Sequence, residues 1–240
     1  MTTLAKIAIA IFFSIFASSC MFDVNFGDGK RGNGNVVEET RNVKEDFTVV
    51  SASEGLDVFV TQGADYKISV EADENIIDLI GTDIREGRLR VHAIENIGRA
   101  TKKVYVTLPK VTALKSSSGA DLIAQNVIES ESIELEASSG SDLHVELNAQ
   151  DVTAQASSGA DIKIAGQTDY LYADASSGAD IKARDLTAKN CNAEASSGAD
   201  ISVNVSESLI ADASSGADIS YTGEASVEKK KSVSGSVRKY

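Results

Sequence analysis

Residues 156–164 read A-S-S-G-A-D-I-K-I, and the five-residue phrase inside them decides the fold. The phrase stands as SSGAD at 117–121, 157–161, 176–180, 196–200 and 214–218, and as SSGSD at 138–142. Its glycines (Gly119, Gly140, Gly159, Gly178, Gly198 and Gly216) lie 21, 19, 19, 20 and 18 residues apart. A weaker copy, SGS at 234–236, places Gly235 a further 19 on. Self-similarity at a fixed period of this length marks a stacked repeat.

The residues flanking the phrase alternate. Upstream, apolar positions fall at every second residue: Ile133, Leu135 and Ala137; Val152, Ala154 and Ala156; Leu171, Ala173 and Ala175; Cys191, Ala193 and Ala195; Leu209, Ala211 and Ala213. Downstream come Leu143 and Val145, Ile162 and Ile164, Ile181 and Ala183, Ile201 and Val203, Ile219 and Tyr221. A period of two is that of strands with one buried face. Each repeat should hold two short strands joined at the Gly, then a looser segment of varying length (126–130, 165–169 and 184–189). No apolar stripe of helical period lasts ten residues within a repeat.

A coil of about 19 residues cannot bury its own apolar face. Stacking coils in parallel, about 4.8 Å apart, buries like on like in columns. The expected fold class is therefore all-β, a parallel β-helix with coils of about 19 residues. Right-handed winding is expected from the hand of parallel crossovers. Gly supplies positive φ at the corner, and the Asp side chain should cap backbone N–H groups as in an Asx turn. The functional counterpart is a ladder of acids: Asp121, Asp142, Asp161, Asp180, Asp200 and Asp218. Stacked carboxylates repel by about 1 kcal/mol per neighbour in water. A cation, Ca²⁺ being the candidate, would relieve that. No other cofactor is implied.

Residues 1–19 have the form of a lipoprotein signal peptide: Lys6, an apolar run over Ile7–Phe16 too short to span a membrane, then A-S-S before Cys20. Cleavage there would make Cys20 the lipid-attachment residue, bearing palmitate or a like chain. An ordinary signal peptide cut near Ala17 is the alternative. Either way the protein is exported. With Cys20 lipidated, Cys191 stands alone and reads as a small buried apolar residue. The net charge of −13 becomes −14 once Lys6 is removed with the leader. That balance argues against nucleic acid and against anionic lipid patches.

Residues 20–37, with Gly27, Gly29, Gly32 and Gly34, read as a flexible tether. Residues 38–110 form a β-rich N-terminal part without the phrase. One short helix is expected at Asp73–Ile80, N-capped by Asp73, with Ile76, Ile77 and Ile80 on one face. Gly55-Leu56-Asp57 and Gly63-Ala64-Asp65 are looser relatives of the corner. Residues 111–225 carry the repeats. Residues 226–240, with Lys229, Lys230, Lys231, Arg238 and Lys239, read as a basic, solvated end cap against strand addition.

The order F-T-V-V-x-x-x-x-G-L-D-V-F-V-T-Q-G at 47–63, D-E-N-I-I-D at 73–78, G-R-L-R-V at 87–91, V-Y-V-T-L-P at 104–109 and the repeated phrase resembles the head GIN domain family. Members of that family are labelled auto-transporter adhesins and are common among Bacteroidetes lipoproteins. The resemblance covers roughly residues 43–225. It implies a right-handed β-helix-like fold and a cell-envelope setting, at the outer membrane or cell surface. It supplies no catalytic residue.

Three functions follow for comparison. The first is a lipid-anchored adhesion or binding module meeting glycans, envelope proteins or host proteins through many weak contacts. The second is a structural envelope lipoprotein without a specific ligand. The third is a polysaccharide-active β-helix enzyme. An enzyme would need acids converging with Arg, Lys or His on one groove. Here the only histidines are His92 and His144, and there is no Trp. The expectation is a binding module and not an enzyme.

Overall fold

The computed structural model describes residues 29–230 and 234–240. The leader, Cys20, the first part of the tether and Lys231 lie outside the described residues. The strands are β1 (Val36–Arg41), β2 (Val49–Ala52), β3 (Asp57–Gln62), β4 (Lys67–Asp73), β5 (Ile80–Arg85), β6 (Arg88–Ala93), β7 (Lys102–Leu108), β8 (Ala113–Ser117) and β9 (Asp121–Ala124). They continue with β10 (Ile128–Ser138), β11 (Asp142–Ser157), β12 (Asp161–Ala175), β13 (Asp180–Ala195), β14 (Asp200–Ala213), β15 (Asp218–Thr222), β16 (Ser226–Lys229) and β17 (Ser236–Lys239). All belong to one continuous hydrogen-bonded sheet wound into a solenoid.

From β8 onward each rung pairs in parallel with the next, and the phrase stacks on itself. Asp142 pairs with Asp161, Asp161 with Asp180, and Asp180 with Asp200. Inward residues form buried columns: Leu143, Ile162, Ile181, Ile201 and Ile219 on one wall, Ala156, Ala175, Ala195 and Ala213 on the other. One inward column tapers. It runs Leu89, Val50, Leu114, Leu135, Ala154, Ala173, Ala193, Ala211, every member fully buried.

The corner is a type I′ turn. The second Ser of each phrase has φ between 53° and 56°, and the Gly that follows has φ between 65° and 78°. Two successive left-handed residues define that turn, and its twist suits adjoining strands. The Ser is therefore a left-handed residue as well as the Gly, which the phrase alone did not reveal. The turn amides are satisfied by backbone. Gly159 N donates to Ser177 O of the next rung at 3.1 Å, Ala160 N to Ser157 O at 3.3 Å, and Asp161 N to Ser141 O of the previous rung at 3.0 Å. The expected Asx capping by Asp is thus replaced by a rung-to-rung carbonyl ladder, which leaves the carboxylates outside the turn.

Two of the three looser segments expected between strands are strand, while 126–130 keeps a short break before β10 begins at Ile128. β12 runs unbroken through 165–169 and β13 through 184–189. Differences in repeat length are taken up as register shifts between Lys163 and Ala165 and between Ala183 and Thr187, away from the turn. A bulge adds a residue without disturbing the corner.

The N-terminal part joins the solenoid out of order. β2 lies between β6 and β8, and β3 lies between β7 and β9, all parallel. The rung made of 88–108 therefore sits outside the rung made of 49–62, although it comes later in the chain. Glu54-Gly55 repeats the left-handed pair of the corner, and Gly55 N donates to Ser118 O at 3.0 Å. Gly63-Ala64-Asp65 instead leads into β4, antiparallel to β7. β1 pairs antiparallel with β4, and β5 with β6, so antiparallel strands close this end.

Two N-terminal expectations are corrected. The helix at Asp73–Ile80 is a single 3-10 turn, Ile77–Leu79, whose N-cap position is Ile76 without a side-chain cap bond. Asp73 ends β4 and is buried, and its carboxylate accepts from Gly34 N and Thr101 N. The tether ends earlier than residue 37. Lys30 bridges Ile97, Asn33 N donates to Asn75 Oδ1 at 3.0 Å, and Glu74 N donates to Asn35 O at 2.8 Å. At the other end the basic segment forms a further partial rung. β16 pairs with β14 and β17 with β15, and Gly216 N donates to Ser234 O at 2.9 Å as in every earlier corner.

Candidate functional site

The six aspartates named from the sequence form one ladder, and Asp57 extends it by pairing with Asp121. They point outward beside the turn, one per rung. The structure meets their repulsion in the middle with Lys182, whose Nζ lies 2.9 Å from Asp161 Oδ1 and 3.3 Å from Asp180 Oδ2. Elsewhere the charge is felt. Partial burial, then Asp142 and Asp57, push the Asp121 carboxyl above its ordinary range. Burial, then Asp180 and Asp218, do the same to Asp200. Among the described residues no three or more His, Cys, Asp or Glu side chains gather as metal ligands would. The ladder is a stripe of single carboxylates.

The sign of its contribution can be tested. Asp121 and Asp200 hold protons more tightly folded than unfolded, so their ionised forms oppose folding. Stability should rise as pH falls from neutrality through their raised values and level off near the ordinary aspartate value of 3.8. Both groups are largely solvated, so the effect per site is below about 1 kcal/mol. Asp121→Asn should raise the melting temperature at pH 7 by about 1–3 °C and flatten the pH dependence. Calorimetry from pH 7 to pH 4, with and without millimolar Ca²⁺, checks this. A lower melting temperature in Asp121→Asn would mean the ladder holds the fold together.

The other wall carries a feature that the sequence reading missed. Tyr170 and Tyr172 stand two apart on β12, so they share its outer face. Register sets Asn190 and Asn192 beside them on β13, and then Ser208 and Ile210 on β14. The six line a shallow groove of about 280 Å³ with Cys191 at its floor. Tyr170 is 58% exposed and Ile210 37% exposed. Glu194 accepts from Asn192 Nδ2 at 3.3 Å and lies 3.5 Å from the Tyr172 hydroxyl. Burial, followed by Glu194 and Asp174, pushes the Tyr172 hydroxyl above its ordinary value. Asn192 Oδ1 is buried without a hydrogen-bond partner. The signal was present in the outward positions three and five residues before each Ala-Ser-Ser, which align these pairs when the repeats are superposed.

The remaining candidates are placed separately. His92 Nε2 lies 3.6 Å from Asp83 Oδ2 on the β5–β6 hairpin, while His144 is exposed on the opposite wall between Ile123 and Lys163. The two do not meet. Cys191 is a free, buried thiol in the Leu171–Leu209 column, as its column position implied. Burial pushes it up to about 12, so it is protonated and inert at neutral pH. A polar trough of about 550 Å³ follows the bend opposite the turns, past Asn148, Gln167 and Thr187.

Solved structures share this architecture. A "putative adhesin" from Bacteroides fragilis NCTC 9343 superposes with a TM-score of 0.79 at 19% identity, covering 88% of this chain and 100% of that one. A "putative lipid binding protein" from Parabacteroides distasonis gives 0.72 at 19% identity, covering 88% and 99%. A "putative adhesin" from Parabacteroides merdae gives 0.72 at 17% identity, covering 89% and 100%. At these identities the likeness is one of fold. No curated protein matches. Residues 46–225 match the family described as "Putative auto-transporter adhesin, head GIN domain", and that span takes in β2 to β15, the aspartate ladder and the tyrosine groove. By that match over most of its length, the chain belongs to the head GIN domain family.

Proposed function

We propose that this protein is a cell-envelope binding module of the adhesin type, anchored by lipid on Cys20 and holding its repeat walls away from the membrane. The carrying observation is the end of the solenoid at which Lys30 enters. Lys30 enters beside Ile97 at the closed, antiparallel end. An anchor ten residues earlier would be joined to that end by at most about 36 Å of extended chain. The stacked walls with their outward ladders would then project outward, free to make many weak contacts. The adhesin labels of the family and of two structural relatives support an envelope setting.

The test is direct. The wild-type chain expressed with its leader should take up a palmitate analogue and partition into detergent. Cys20→Ser should lose the label and become soluble. Protease added to intact cells should cut the wild-type protein if the module faces outward. Retention of Cys20→Ser in the membrane would remove the anchor from the proposal.

A further inference from the structure

We infer that the groove over Tyr170, Tyr172, Asn190, Asn192, Ser208 and Ile210 is a subsite for a neutral oligosaccharide. This deepens the binding-module reading and rests on it. The six side chains form a grid of two columns and three rungs. Rungs lie about 4.8 Å apart and columns about 6.6–7 Å apart, the two intrinsic spacings of a sheet. Aromatic faces occupy the first rung, amides the second, and a hydroxyl beside an aliphatic the third.

That sequence of chemistries fits a sugar better than the other classes. A pyranose presents a C–H face to a ring and hydroxyls around its edge. Tyr170, more than half exposed, offers the ring, while Asn190 beside it on the next rung offers both a donor and an acceptor to hydroxyls. Among the described residues no Lys or Arg lines the groove, which disfavours a phosphate, sulfate or sialate there. The amides are too polar for an acyl chain. The Asn192 amide is already held through its Nδ2 by Glu194, which Lys230 in turn approaches at 3.7 Å. Its Oδ1 is buried behind the groove surface, so Asn192 shapes the groove while Asn190 and Tyr170 present the contacts.

The chain has no Trp and six Tyr, two of them in this groove, so binding there should change tyrosine emission, and Tyr170→Ala shows how much of the change comes from the groove. The full mature protein is titrated with oligomers of glucose, mannose, xylose and N-acetylglucosamine, and with sulfated and sialylated oligomers for contrast. At least one neutral series should saturate, with Kd about 1 mM as befits a single shallow subsite. Tyr170→Ala and Asn190→Ala, both surface changes, should weaken it at least about tenfold. Tyr170→Phe should retain it, because the ring face rather than the hydroxyl makes the contact. Asp161→Asn on the opposite wall should bind as wild type. The inference is overturned if no neutral oligomer binds at tens of millimolar, if only charged oligomers bind, or if Tyr170→Ala binds as wild type. A membrane-anchored, surface-accessible protein that binds no neutral oligomer would defeat this subsite and leave the envelope module standing. Oligomer binding by a chain whose Cys20→Ser variant stays in the membrane would do the reverse.

Discussion

Gly166→Ala should lower the melting temperature by about 6–12 °C, the equivalent of roughly 3 kcal/mol for a chain of this size. Gly166 has φ +113°, a conformation that L side chains rarely adopt. A Cβ built there would lie far inside van der Waals contact distance of the Leu147 carbonyl oxygen, the backbone of the rung below. Backbone cannot swing aside as a side-chain tip can, so either the rung spacing opens locally or β12 shifts. The matched control is Gly159→Ala at the tip of a turn. Gly159 has φ +70° but no atom within 4 Å of its added Cβ. That change should cost about 1 kcal/mol, the conformational part alone. Thermal unfolding of the two variants separates the contributions. Equal losses would show that the close approach at Leu147 does not constrain the stack.

Ala173→Leu should cost about 3 kcal/mol by over-filling a packed interior, with Leu135→Ala costing about 2–5 kcal/mol by emptying one. The two positions lie in the same tapering column, two rungs apart. Leu is accommodated at 135, whereas 154, 173, 193 and 211 are all Ala and all fully buried. A Leu at 173 would meet Ala154 and Ala193 above and below it and the opposite wall in front. Opposite signs of volume change giving the same sign of stability change would establish that the interior narrows toward the C-terminus. A neutral or stabilising Ala173→Leu would show spare room and refute the taper. Denaturant midpoints at constant m-value measure it.

The repeated phrase exposed the rungs because its physics is local. Alternation names the buried face, and the Gly spacing names the corner. Register then follows, since a one-residue slip would turn Ile162 outward and Lys163 inward. Three things were illegible for different physical reasons. Ile76, Ile77 and Ile80 suit a helix face and equally a 3-10 turn entering a strand, and burial of Asp73 by Gly34 and Thr101 decided for the latter. The order of the first rungs leaves no local trace, because the strands at 49–62 and 88–108 alternate alike and only long-range pairing ranks them. The tyrosine groove is assembled from three rungs whose outward residues share no motif, so no single repeat announces it. The aspartates were legible as a ladder but not in role, since the phrase cannot say whether turn amides are taken by carboxylates or by carbonyls.

The interleaving of the opening rungs has a consequence for how the chain is made. During synthesis the segment 49–62 emerges early, yet its two flanking partners arrive only with residues 88–108 and 113–124. A nascent chain therefore has no finished hydrophobic rung until about half of it has left the ribosome. After that point each further rung docks on a completed template as it appears. Length can then be gained or lost in whole rungs at the trailing end, while the leading half must be inherited intact.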